Sequence, residues 1–339
     1  MTDVSLCSSP VSDAMTNTDY VRVLRPLLPP QAFAADTRKL IPTAIHVTIV
    51  IGGWFTFGVI PHYLWPVLGL IIGNSTAALA FIGHDISHRS VVKNRKLLYL
   101  VELIVWTLVN VPTTMWRRVH GGHHIHTNSE DDPDRRFLAN ELTPVTTAYA
   151  AVLFPNRMLR YNLLCFLHFI TYIARHTVAA FYPGKTKPVS MTAKPAYATE
   201  EKIKIAFEIA LIIATQYAVY VIAGPKCFVW ASIVPFIITS VVVSFYFFTN
   251  HGLKPVGDGD DALAASTSVT VPAPLNKLHV NFAYHTEHHL FPNMNSDYYP
   301  LVGELIRKHF PARYHRVPVT TAWAGLWRNT IAAPRAPHR

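Results

Sequence analysis

Eight histidines fall into three short groups: His84-Asp85-Ile86-Ser87-His88, His120-Gly121-Gly122-His123-His124 and His285-Thr286-Glu287-His288-His289. On a helix, residues three and four apart share a face, so each group aims its imidazoles in one direction. Neutral imidazole suits iron, zinc, copper or nickel, so the donor type alone does not choose the metal. Number narrows the arrangement, because eight imidazoles are too many for one ion and suit two. Structural zinc is usually four-coordinate and often thiolate-rich. The three cysteines here, Cys7, Cys165 and Cys227, form no close pair, so neither an iron–sulfur cluster nor a disulfide framework is readable. Di-iron carboxylate bundles use Glu-x-x-His, a pattern absent from this chain. A binuclear all-histidine site is the arrangement left.

The elements that must position these groups are apolar and long. Half of the 339 residues are hydrophobic, only 15% are charged, and mean hydropathy is +0.23. Four runs, about 41–60, 63–82, 203–223 and 228–249, approach the ~20 apolar residues that cross a bilayer core. The turns inside each pair are very short, Pro61-His62 and Gly224-Pro225-Lys226-Cys227. The expected fold is therefore an all-α integral membrane protein: four transmembrane helices in two hairpins under a cytosolic helical cap that carries the histidines. Residues 1–38 read as a mobile N-terminal arm without a cleaved signal pattern, 39–328 as the membrane domain, and 329–339 as a frayed tail.

A further apolar stretch, Leu97 to Trp116, is expected not to cross. A span there would put the second histidine group on the opposite membrane face from the first, and Glu102, Asn110 and Pro112 weaken it as a span. It should be buried in protein or dip into one leaflet. The basic–aromatic stretch 157–182, with Arg157, Arg160, Tyr161, Tyr172 and Arg175, reads as interfacial helix. With four spans, 29 of the 30 Lys and Arg residues lie on one side, leaving Lys226 alone on the other. The positive-inside rule then places both termini and all three groups in the cytosol. The net charge of +10 is spread between apolar segments. It suits anionic lipid head groups and argues against nucleic acid as a partner.

Other residues near the groups have weaker signals. Asp85, Asp132, Asp134 and Asn281 are of the type that orients ligand imidazoles. His126 lies about 240° around a helix from His120, which suits an outer position; His279 reads likewise. His46, His62, His168 and His176 stand apart and read as structural. A metal transporter would place its ligands near the bilayer midplane in broken helices, whereas these groups sit at helix ends.

From Gly83 to Pro300 the sequence resembles the membrane fatty acid desaturase family. The resemblance rests on Gly83-His84-Asp85-Ile86-Ser87-His88, on His120 through Asn128 leading to Asp132-Pro133-Asp134, and on His285 through Pro292. It implies two irons held by His84, His88, His120, His123, His124, His285, His288 and His289, with His251 as a further ligand just past the fourth span. It also implies O2 as co-substrate and insertion of a double bond into an acyl chain. No cytochrome b5, flavin or NAD signature occurs, so a separate electron donor, of ferredoxin or cytochrome b5 type, is implied. The stearoyl-CoA type carries Asn where this chain has Phe247, and its first box is H-x4-H where this one is H-x3-H. Both departures resemble the acyl-lipid branch more. A hydroxylase or ketolase of a lipid or carotenoid on the same scaffold is the alternative.

Overall fold

The computed structural model describes residues 15–129, 131–134, 157–181 and 197–328. From residue 15 onward the segment expected to be a mobile arm is packed. Asp19 accepts a hydrogen bond from the Thr16 backbone N–H and starts α1 (Asn17–Leu24). Tyr20, Leu24, Leu28 and Ala32, spaced four apart, are all buried and pack on Leu290, Phe291 and Met294 beyond the third histidine group.

The first apolar pair forms α2 (Leu40–Thr56) and α3 (Trp65–Ser87). α3 is the central helix, buried along its last turns by small residues such as Ala77, Ala78 and Ala80. Two glycines on it allow close approach, the usual device where helices pack in lipid. A Cβ on Gly73 would lie 2.7 Å from Ile238, and one on Gly83 would lie 2.8 Å from Val105.

The stretch Leu97 to Trp116 is not one straight helix. α4 (Arg95–Leu108) and α5 (Thr113–Ile125) meet at 98°. Asn110 sits at φ 65°, off the helical backbone, and the residue before a proline resists helix, so Val111-Pro112 completes the break. α5 restarts on borrowed capping. Its Pro112 N-cap offers no side-chain acceptor, and Glu208 supplies one, accepting from the Thr114 N–H at 2.9 Å and from the Thr114 hydroxyl at 2.6 Å. A carboxylate at a helix N-terminus also complements its dipole. Arg117 pairs with the buried Glu102 at 3.2 Å, so the orientation of the helix that carries the second histidine group is set by two acids on neighbouring helices.

α6 (Arg157–Phe181) differs from the sequence reading. It is one 25-residue helix, and its Tyr161–Phe181 portion is apolar enough to cross a membrane, with mean hydropathy 1.4. Arginines near its start and at Arg175 hide that run from a sequence window. With α7 (Thr199–Ala223) and α8 (Val234–His251), five helices of spanning length and composition occur among the described residues, where four were expected. A π-helical turn, Val229–Ile233, leads into α8.

The cap beyond α8 is helical except for one correction to the all-α expectation. β1 (Ser268–Thr270) and β2 (Arg316–Pro318) pair in parallel, Ser268 opposite Arg316. α9 (His285–Leu290), α10 (Tyr299–His309) and α11 (Val319–Arg328) complete the cap.

Candidate metal centre

The three histidine groups sit on α3, α5 and α9, and His251 ends α8. They converge into two sets rather than three. His84, His88, His120, His124 and His288 form one, and His123, His251, His285 and His289 the other. Within each set one ring nitrogen per residue lies within 4.8 Å of all the others.

The H-x2-H-H spacing explains the division. Residues at i and i+4 stack on one face, whereas i+3 and i+4 diverge by ~100°. In α5 the stacked pair His120 and His124 serves the first set while His123 turns to the second. In α9 the assignment is exchanged: His285 and His289 serve the second set and His288 the first. Each helix thus contributes to both sets, which ties them together as one binuclear arrangement.

Ring orientations are fixed from outside. His123 Nδ1 donates to Asp132 at 2.9 Å, and Asp132 in turn accepts from the Asn128 N–H at 2.6 Å. The Thr127 hydroxyl donates to the His123 carbonyl and lies 3.2 Å from His289 Nδ1. His288 Nδ1 meets the Tyr299 hydroxyl at 3.0 Å, and His251 Nδ1 faces the Ala265 carbonyl at 3.3 Å. Partners of this kind keep the proton on Nδ1 and turn the Nε2 lone pair inward.

Nε2 atoms therefore face one another: His88 and His124 approach His120 at 2.9 and 3.1 Å, and His251 and His289 approach His285 at 2.7 and 3.0 Å. Burial and the surrounding imidazoles hold His285, His288 and His289 well below the usual histidine range, so these rings are neutral. Converging lone pairs on neutral buried rings repel unless a cation lies between them. The buried His84 makes no hydrogen bond through either nitrogen, which suits the same occupant. The donor set fits an ion of the imidazole-binding transition series.

Not every residue expected near the centre orients a ring. Asp85 Oδ1 lies 3.6 Å from His84 Nδ1, beyond a hydrogen bond. Its stronger partner is Lys39 Nζ at 2.9 Å, and Lys39 also binds Ser296 Oγ. Asn281, at φ 61°, bonds the Ser296 carbonyl and Asn276, and His126 belongs to neither set. His279 pairs with the Tyr246 hydroxyl at 3.1 Å. Sequence reasoning missed Tyr299, Thr127 and the Ala265 carbonyl, none of which has a local spacing signal.

Beside the two sets lies a cavity of about 100 Å³. Phe81, Trp106, Trp116, Phe169, Val243 and Phe282 give it apolar walls, and histidines of both sets reach it. Trp116 stacks on His120 with ring centroids 4.4 Å apart. His168, read from sequence as merely structural, lies on the wall with Phe247 stacked against it at 5.1 Å. Phe247 in turn is 5.6 Å from His251.

Two converging sets of buried histidines able to hold metal lie at the ends of long apolar helices, beside a largely apolar cavity. The chain belongs to the fatty acid desaturase family, whose family model matches residues 61–321. It is similar to an sn-1 oleoyl-lipid 12-desaturase of Anabaena variabilis, 32% identical over 31% of this chain and 30% of that protein. A chloroplastic omega-6 fatty acid desaturase of Glycine max is 36% identical over 35% of this chain and 27% of its own length. A fatty acid conjugase of Calendula officinalis matches more extensively, at 24% identity over 80% of this chain and 75% of that protein. The matched segments thus span less than a third of the first two relatives.

Proposed function

We propose that the chain is a membrane-bound desaturase that uses O2, and electrons from a separate donor protein, to place a double bond in a fatty acyl chain. The observation that carries this reading is the pair of converging histidine sets opening on one apolar cavity. His84, His88, His120, His124 and His288 would hold one iron, and His123, His251, His285 and His289 the other. Bound iron would supply the reactivity towards O2 that no side chain possesses. The protein's own work is positional. Asp132, Thr127, Tyr299 and the Ala265 carbonyl hold four rings in one tautomer, and the aromatic walls exclude water and confine a methylene pair. In sum, two hydrogens leave neighbouring carbons, and O2 with two electrons and two protons becomes two waters. A lipid-linked acyl chain is the preferred substrate form, since a relative is named for an oleoyl lipid.

Expression in a host of known lipid profile tests the reading, with mass spectrometry locating any new double bond. New unsaturated acyl chains are expected. A hydroxylated or keto product would transfer the function to a hydroxylase or ketolase on the same scaffold, and an unchanged profile with the iron-loaded protein present would overturn it.

Four crossings, with both termini and the histidines in the cytosol, fit this function. α6 is the helix to exempt. Tyr161 contacts Phe248, one turn before His251, and Arg175 reaches the Pro133 carbonyl beside Asp132. Those two partners flank His251 and His123, whose rings are 4.8 Å apart. Fourteen residues of helix cover about 21 Å, so an upright α6 would carry one end far from the centre, whereas an oblique one keeps both near it. Cysteines replacing Arg95 and Arg118 are expected to react with an impermeant thiol reagent from the cytosolic side alone. Labelling from opposite sides would refute the four-crossing topology.

A further inference from the structure

One wall of the cavity is not apolar. Asp134 and Tyr172 both line it, and both are more than nine-tenths buried, at 8% and 6% exposure. Neither Asp134 Oδ1 nor the Tyr172 hydroxyl has a partner at normal hydrogen-bond geometry; the two groups are near enough only for a long, weak contact with each other. Around them, the Asp134 N–H donates to Asp132 at 2.9 Å, which fixes the loop, and Arg175 reaches the Pro133 carbonyl at 3.2 Å. These contacts fix the backbone that carries the carboxyl, and the carboxyl itself is buried. Burying a polar atom without a well-formed hydrogen bond costs about 1–3 kcal/mol, a cost a fold carries where something else completes the bonds. The location is close to the reacting region: the Tyr172 ring is 6.2 Å from His168, which stacks on Phe247, which leans on His251.

We propose that Asp134 and Tyr172 form a hydroxyl-binding subsite, and that the acyl substrate carries an alcohol near the carbons presented to the second histidine set. A hydroxyl is the group that matches both partners at once, donating to the carboxylate oxygen and accepting from the phenol. An alkyl chain leaves both unsatisfied, and a carboxylate would repel Asp134. Water offers the same chemistry, so the experiment must separate a substrate alcohol from a bound water. The inference deepens the desaturase reading and rests on it.

The test uses the full-length, iron-loaded protein in detergent and measures dissociation constants for stearate and for a series of positional hydroxystearates. Tryptophan fluorescence is the readout, since Trp106 and Trp116 line the cavity. At least one hydroxystearate is expected to bind about tenfold more tightly than stearate, and that ratio is expected to fall towards one in both Tyr172→Phe and Asp134→Asn. Equal binding of stearate and every hydroxystearate, with a new double bond still formed in host lipids, would mean that the subsite holds a bound water only and would overturn this inference alone. A preference that survives both substitutions would overturn it as well. Absence of any new double bond would instead remove the desaturase reading beneath it.

Discussion

Purified with its metal, the protein is expected to hold about two irons per chain and little zinc, because its two donor sets offer nine imidazoles and no thiolate. Replacing one of the converging rings should then abolish turnover. His124→Ala and His288→Ala are the sharpest choices: their Nε2 atoms face each other at 3.0 Å, and they come from different helices, α5 and α9. Loss of an outer partner of a ligand commonly costs 10–100-fold, so loss of the ligand itself should cost more. Membrane insertion should be unaffected, since both residues lie beyond the apolar helices. Iron analysis with turnover in the same preparation checks both points. One zinc per chain without iron would defeat the metal assignment, and wild-type turnover in both variants would defeat the ligand set.

The second large effect is expected at Lys39. It is 7% exposed, it pairs with Asp85, itself 4% exposed, at 2.9 Å, and it also bonds Ser296. Truncation to alanine leaves a buried carboxylate without its cation, a loss of about 3–5 kcal/mol. Thermal unfolding in detergent, followed by tryptophan fluorescence, should show a clearly lowered midpoint for Lys39→Ala. The double variant Lys39→Met, Asp85→Asn should recover part of the loss, because no uncompensated charge remains. An unchanged midpoint in the single variant would mean that water reaches Asp85 and that the pair does not hold the arm.

The histidine centre was legible in the sequence because its information is local. Spacings of three and four fix which rings share a face, whatever the rest of the chain does. The sequence reading did not resolve the exchange by which α5 and α9 each serve both sets, since that depends on how two distant helices approach. Asn110 and Pro112 spoke locally against a span over Leu97 to Trp116, but the 98° bend between α4 and α5 was not read from them. α6 was not legible, because its arginines dilute an apolar run that only a continuous helix reveals. Lys39 and Asp85 are 46 residues apart, and Tyr20 and Arg313 are 293 apart. Neither pairing has a periodic trace. The polar composition of the arm suggested mobility, yet four evenly spaced apolar residues within it were enough to dock it.

That docking has a consequence for assembly. The Asn17 N–H bonds the Asp260 carbonyl, the Tyr20 hydroxyl meets Asp261, and Arg313 grips both side chains of that pair. The segment synthesised early therefore waits for partners made near the end, and closing so long a loop is slow on entropic grounds. Until then the third histidine group has no arm packed behind it. The clasp between Tyr20, Asp261 and Arg313 thus joins the two ends of the described chain. Closing the clasp is what completes the packing behind the third histidine group.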